Sequence, residues 1–373
     1  MKKILITSVG SLVGQNILDS LEGRRDQLHI IGTNSIASAA NNFRCDSTHL
    51  VAPATDQSEF ISDLLNLIKD EAPDLIIPGR DDDIEILASI KEKYFPSSNA
   101  FLCGSSHFAA VMDDKVKSYD FCLKHQLNFA HTIETGLPNS YDNALDLLTQ
   151  YDFPLIAKPK SGNGSRGIWV ITNHSQLSNS AALKQYAIQP LIAQKAPTLD
   201  TSFGIPFVWE VPETSLYAAQ ALISQSGDTL SSICFVSTMV MGKCEKMTKV
   251  EDPDLTNLIE CFAAKAAASG WRGPLNVQFK KDTQYHAIEM NGRFSGGTSA
   301  RLILGFDEVQ TLLNHWLGEP IIPDSPRLNT SDTIIKSLVD FPLNPQDVAQ
   351  LNDSGTWSAP TLSSPASNLI PSS

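Results

Sequence analysis

Three oxygen-bearing side chains fall close together in the last third of the chain. In Asn276-Val277-Gln278-Phe279, strand alternation turns Val277 and Phe279 to one face and Gln278 to the other. In Ala287-Ile288-Glu289-Met290-Asn291, Ile288 and Met290 are expected to pack while Glu289 and Asn291 share the opposite face. The turn Lys281-Asp282-Thr283-Gln284 lets the two strands lie antiparallel, so that Gln278, Glu289 and Asn291 converge. Such an oxygen donor set suits Mg²⁺, a hard cation that also takes phosphate oxygens. Arg293 comes two residues later, where a guanidinium would stabilise charge on a transferring phosphoryl group. A solvent-exposed polar strand face is the plain alternative. The Gly/Ser-rich loop that follows directly, with Arg293 and Arg301, weighs against it.

A second group of residues has phosphate chemistry written into its types. Pro154–Lys158 reads as a strand, Gly162–Gly167 lies in a loop with three glycines, and Ile168–Thr172 reads as a departing strand. Gly162, Gly164 and Gly167 let a backbone approach phosphate oxygens closely, and Ser165 lies among them. Lys158, Lys160 and Arg166 supply positive charge. A Walker A loop is excluded, because Ile168 stands where that motif needs a lysine and because a strand, not a helix, follows. The segment is expected to be a flap between two strands, laid over phosphates. An ordinary hairpin turn around Asn163-Gly164 is the alternative, made less attractive by the flanking cations.

Elements able to hold these groups can be read around them. Over the first hundred residues strands alternate with helical patterns: Lys3–Thr7, His29–Gly32, Asp74–Pro78 and Ala100–Cys103 as strands, with helices between. That order predicts a doubly wound parallel sheet. Ligands of such sheets sit at the C-terminal strand ends. Two loops fall there. Ser8–Gly14 has Gly-x-x-x-Gly and lacks the dinucleotide fingerprint; Gly79–Asp83 is either an acidic helix cap or a place where Arg80 or Asp81 faces a substrate. A helix over Asp113–Leu123 carries Lys115. Strand-rich α+β sequence follows from about Phe153, including a segment at Ser202–Val208, and a longer helix covers Asp254–Ser269. The predicted divisions are residues 1–110, 111–188 and 189–325, with a C-terminal extension over 326–373 that reads as disordered from about Ser358.

Composition narrows the function classes. The 373 residues carry a formal net charge of -13, so neither nucleic acid nor an anionic membrane is an expected partner. Anionic ligands must be held by local cations, backbone N–H groups or metal ions. No apolar run reaches membrane-spanning length. The 6 cysteines form no CxxC pair and read as reduced thiols of a cytoplasmic protein. No Ser/His/Asp or Cys/His nucleophilic constellation is discernible.

Taken in order, Gln278 and then Glu289-Met290-Asn291-Gly292-Arg293 resemble the motif Glu-(Met/Ile)-Asn-Pro-Arg of the ATP-grasp superfamily. The likeness is greatest to the branch that looks like the carbamoyl-phosphate synthase large subunit, and it spans Met1 to about Pro320. It implies a doubly wound pre-ATP-grasp domain followed by a two-part ATP-grasp fold, with ATP between the lid and the larger subdomain. By similarity, Lys115 and Lys158 would contact ATP phosphates and residues 162–167 would cover them. The hinge strand Ala187–Leu191, with Gln189, Pro190 and Leu191, would meet the adenine; Pro190 departs from the usual Gln-Glu pattern. Asp200 is the candidate for the ribose. Gln278, Glu289 and Asn291 would hold Mg²⁺, with Mn²⁺ as a substitute, and Arg293 would contact the γ-phosphate. Gly292 replaces the usual proline. Lys243, Lys246 and Lys249 lie where relatives place a substrate or phosphate cation, and the sequence does not choose among them. Arg301 pairs with a substrate carboxylate or serves the core.

The activity so implied is ATP-dependent joining of a small carboxylic acid to an amine, or to a thiol, through an acyl phosphate. Activation of bicarbonate and a non-catalytic ATP-binding regulator are the alternatives. The partners are small molecules and, on general frequency, a second copy of the chain.

Overall fold

The computed structural model describes residues 1–162, 167–192, 198–200, 207–210, 216–240 and 243–359. The chain opens with β1 (Lys2–Ile6), α1 (Leu12–Leu21), β2 (Leu28–Asn34), β3 (Ser47–Leu50), α2 (Gln57–Glu71), β4 (Leu75–Ile77) and α3 (Asp81–Tyr94). β1 pairs in parallel with β2 and β4, and β2 with β3. The apolar runs that make these strands are buried on both faces, as a parallel sheet between helices requires. The expected strand at Ala100–Cys103 reduces to one parallel bridge, Phe101 to Ile76.

Two loops at the C-terminal ends of β1 and β4 are tied together by one carboxylate. Asp83 is fully buried and accepts from Thr7 Oγ1 at 2.7 Å and Ser8 Oγ at 3.1 Å. Ser11 caps α1 and also donates to the Gly79 carbonyl at 2.6 Å. Burial pushes the Asp83 carboxyl up to about 6, the two hydroxyls opposing it. A carboxyl raised on folding favours the native state at low pH and loses that contribution as pH rises. Wild-type stability is therefore expected to fall, relative to Asp83→Asn, between about pH 4 and pH 6, by roughly 3 kcal/mol at most. Urea titrations across that window measure it, and parallel pH profiles for the two proteins would refute it.

The expected helix Asp113–Leu123 is in fact two. α4 (Ser106–Asp113) stops, and Asp114 caps α5 (Lys115–Lys124), accepting from Val116 N–H at 2.8 Å and Lys117 N–H at 3.2 Å. The unit expected to serve as the lid comes next: β5 (Ile133–Glu134), α6 (Ser140–Leu148), β6 (Leu155–Pro159), β7 (Trp169–Ile171), α7 (His174–Ala181) and β8 (Tyr186–Pro190). Its antiparallel sheet runs β5-β8-β6-β7 among the described residues. β9 (Thr198–Asp200) and β10 (Phe207–Glu210) pair with each other, so the strand expected at Ser202–Val208 falls largely outside the described residues.

The larger subdomain holds β11 (Leu216–Ile223), β12 (Thr229–Val240), β13 (Lys243–Lys249), α8 (Pro253–Ala268), β14 (Gly273–Lys281), β15 (Tyr285–Asn291), α9 (Thr298–Ile303) and α10 (Glu308–Leu317). The C-terminal extension adds β16 (Thr333–Ile335), α11 (Pro345–Ser354) and β17 (Thr356–Ser358). Among the described residues the large sheet is antiparallel in the order β15-β14-β11-β12-β13-β16. β17 joins the other sheet, antiparallel to β3, with Trp357 buried edge-on to Phe43. The extension thus clamps both sheets, and Ser358, expected to begin a disordered tail, closes a strand. Residues 360–373 lie outside the described residues.

The cores show which parts pack together. A single apolar cluster runs from Leu5, Ile76 and Phe101 of the first unit through Phe108 and Met112 to Trp271, Val277 and Ala287 of the larger subdomain. The lid packs on a cluster of its own, with Ile133, Leu147, Leu155, Ile171 and Ile188.

Candidate active site

The hairpin β14–β15 carries the oxygen donors. Gln278 is the direct partner of Glu289, and Asn276 of Asn291. Directly paired side chains lie on one face with Cβ atoms about 5 Å apart, so these four form one patch. The register then slips: Phe279 pairs with Ala287 and Ile288 is extra. This bulge overturns the expected alternation in β15. Ile288 lies at the cleft surface beside Glu289, and Ala287 takes the core position. Lys158 Nζ donates to the carbonyl of the bulged Ile288 at 3.4 Å.

The patch floors a cleft of about 2000 Å³ that the first unit, the lid and the larger subdomain all line. Lys158 and Lys115 enter it from the lid side, both buried. Burial pushes the Lys158 ammonium down to about 7; Glu289 opposes this, while Lys115 and Lys280 add to it. Lys115 Nζ donates to the carbonyls of Lys160 at 3.4 Å and Gly162 at 3.2 Å, holding the start of the glycine loop. Lys160 is placed otherwise. Its ammonium meets Asp114 at 3.2 Å and Glu134 at 2.5 Å, bracing α5 against β5. Gly162 lines the cleft, and Gly167 has a left-handed φ of 69°. Gly164, Ser165 and Arg166 lie outside the described residues.

At the opposite end of the patch Arg293 forms a two-pronged pair with Asp81. Nε lies 2.6 Å from Oδ1 and Nη2 2.8 Å from Oδ2, both residues being largely buried. Asp81 therefore meets the arginine of the larger subdomain, while Arg80 sits half exposed against Asp82 at 2.7 Å. Arg301 is fully buried and bonded to Glu308 at 3.1 Å and 2.5 Å, with further bonds to Ser295 and Thr298. Of the two roles left open for it, the core role matches these contacts, although part of its side chain reaches the cleft wall. Gly292 has a steric reason to be glycine. A Cβ there would come within 2.4 Å of both Met112 Cε and Trp271 Cζ2. The proline of the resembling motif has no room beside this tryptophan.

Gln189 is buried in the lid and donates to Thr132 Oγ1 at 2.8 Å; Pro190 is buried, and Leu191 lines the cleft. Asp200 is in β9, but its side chain lies outside the described residues. The same holds for Lys243; Lys246 and Lys249 point to solvent, the latter 3.3 Å from Glu251. Two cleft residues of the β14 face, Asn276 and Lys280, escaped the sequence reading. Lys280 lines the cleft on the same face of β14 as Asn276 and Gln278, and the two-residue parity that picked out Gln278 would have reached both.

The donors fit a magnesium ion that shares its ligands with a polyphosphate. One carboxylate and amide oxygens are hard donors, and Asn291 Nδ2, buried without a partner, is an N–H donor that suits a phosphate oxygen rather than the metal. Among the described residues no three His, Cys, Asp or Glu side chains gather into a self-sufficient metal site. Mg²⁺ is commonly held by one or two carboxylates plus substrate phosphates.

No protein-family model matches the chain, and no curated protein matches its sequence. Solved structures do match in shape. Biotin carboxylase of Campylobacter jejuni, in a β,γ-ATP complex, superposes with TM-score 0.62 at 17% identity, over 85% of this chain and 71% of that one. N5-carboxyaminoimidazole synthetase of Staphylococcus aureus, complexed with ADP, gives TM-score 0.64 at 13% identity, over 85% and 78%. The biotin carboxylase domain dimer of Hydrogenobacter thermophilus 2-oxoglutarate carboxylase, with MgADP, ADP and bicarbonate, gives 0.62 at 14%, over 88% and 72%. The chain has the ATP-grasp fold. β11–β15 form the larger half, whose face carries Gln278, Glu289 and Asn291. Asn16 joins that half to the first unit, its Oδ1 accepting from Ser299 Oγ of α9 at 2.8 Å. No helix among the described residues is long and apolar enough to cross a membrane.

Proposed function

We propose that the protein is an ATP-dependent ligase that activates a small carboxylic acid as an acyl phosphate and passes the acyl group to an amine. The observation that carries this reading is the convergence of Lys158 and the Gln278/Glu289/Asn291 patch on one cleft, in a fold whose solved relatives are described with ATP or ADP. Gln278, Glu289 and Asn291 would hold Mg²⁺, which would neutralise phosphate charge and align the γ-phosphoryl group. Lys158 and Lys115 would bind phosphate oxygens; a bound polyanion would also restore the Lys158 ammonium that burial disfavours. Arg293, held by Asp81, would steady the developing charge at the transferring phosphoryl group. The carboxylate oxygen attacks phosphorus, ADP leaves, and the amine then attacks the acyl carbon to release phosphate. The lid excludes water while the acyl phosphate exists. A thiol acceptor would follow the same steps.

A phosphate-release screen over a matrix of acids and amines, with ATP and Mg²⁺, tests the reading. Release that requires one acid and is raised by one amine is expected, and Lys158→Ala should weaken ATP binding on the order of tenfold or more. Absence of acid-dependent release, or an unaltered ATP affinity in Lys158→Ala, would count against it. Bicarbonate is a second candidate for the acid, favoured by the relative described with bicarbonate; its arm of the screen decides. The described cysteines form no disulfide, which supports a reducing, cytoplasmic setting. The dimer described for that same relative supports a homodimer here.

A further inference from the structure

We infer that Lys280 binds the α-phosphate of the nucleotide, at the inner end of the phosphate track that Arg293 closes at the other. This rests on the nucleotide reading above and adds a residue and a polarity to it. The argument is one of order along the hairpin. Residue pairs on this face step from Asn276 with Asn291, to Gln278 with Glu289, to Lys280 with His286. Each step along a strand of two residues is about 7 Å. Arg293 follows Asn291 and so stands beyond the first pair, whereas Lys280 occupies the last.

Lys158 fixes what lies between. Its ammonium reaches the carbonyl of Ile288, the residue bulged out between the second and third pairs. Lys158 therefore sits past the metal patch on the way to Lys280. From one end the groove presents Arg293, then the oxygen donors, then Lys158, then Lys280. The donors and Arg293 serve the metal-bound, reacting phosphates. A triphosphate laid along this series with its γ-group at Arg293 brings its innermost phosphate toward Lys280.

Lysine offers a flexible point charge with three donors, suited to a non-bridging phosphate oxygen. Lys115, Lys158 and Lys280 all line this cleft, and bringing three ammoniums together costs free energy through like-charge repulsion. A polyanionic occupant offsets that cost.

The position assigned to Lys280 makes a prediction that its charge alone does not. Calorimetric titrations of the wild-type protein and Lys280→Met with ATP, ADP, AMP and adenosine, in Mg²⁺, are the test. Loss of affinity on the order of 10- to 100-fold is expected for all three nucleotides, from removal of one charge-assisted bond to the phosphate they share. Adenosine, which lacks it, should bind both proteins equally, and Lys280→Arg should recover most of the affinity. Lys280→Gln carries the same readout if the Met variant does not fold. Unchanged nucleotide affinities, or a loss confined to ATP, would overturn the assignment while leaving the nucleotide reading intact. A wild-type protein that binds none of the nucleotides would remove both.

Discussion

Glu289→Gln is expected to fold normally and to lose ATP turnover on the order of 10²- to 10³-fold. The substitution keeps the shape of the side chain and its place opposite Gln278. It removes the one carboxylate among the three proposed metal ligands. A neutral amide still offers an oxygen, but the charge that would anchor Mg²⁺ against a triphosphate is gone. The loss should be partly recovered by raising the Mg²⁺ concentration, because the ligand geometry survives. Steady-state phosphate release against Mg²⁺, with a thermal melt as the fold control, measures both parts. Wild-type turnover in the variant would remove Glu289 from the metal site. Turnover lost without any Mg²⁺ dependence would assign it another role.

The second large effect is on stability. Arg301→Met should cost roughly 3–5 kcal/mol, because it leaves Glu308 as a charge without its partner in the core. Arg301 is fully buried and Glu308 is 1% exposed, so water cannot replace the lost bonds. Burial alone already pushes the Glu308 carboxyl upward, with Arg301 holding it down. The double variant Arg301→Met with Glu308→Leu should regain most of the loss, since an apolar pair of similar volume needs no partner. Denaturant unfolding of the two single variants and the double variant gives the coupling. A mild loss in Arg301→Met would mean that its charge is held mainly by the cleft, and the role in substrate binding would return.

Much of this was legible in the chain because it depends on short-range pattern. Strands and helices alternate in the first unit, and the apolar runs of β1, β2 and β4 are long enough to declare themselves. Gln278, Glu289 and Asn291 follow from parity, and parity extended by one step reaches Lys280. What failed depends on contacts distant in sequence or on a single irregular residue. No composition rule marks Ile288 as the bulge that moves Lys158's partner into place. The partner of Arg301 is seven residues away on another helix, past the turn at Gly305. The partner of Arg293 is Asp81, in a different unit altogether. β16 and β17, three residues each, exist because sheet edges elsewhere accept them, and nothing local encodes that. Gly292 looked like a departure from its motif. Its reason is the Trp271 ring, which sequence spacing does not bring near.

The apolar cluster that runs unbroken from Leu5 to Met290 has a mechanical meaning. The shelf beneath the cleft, with its arginine, its oxygen ligands and the loops at the ends of β1 and β4, is cast as one rigid block. The roof is built on the separate cluster around Leu155 and Ile188. Lys158 belongs to that roof, whereas Arg293, Gln278, Glu289 and Asn291 belong to the block, so any relative movement of the two would change the distance from Lys158 to the oxygen donors and leave the donors' own spacing intact.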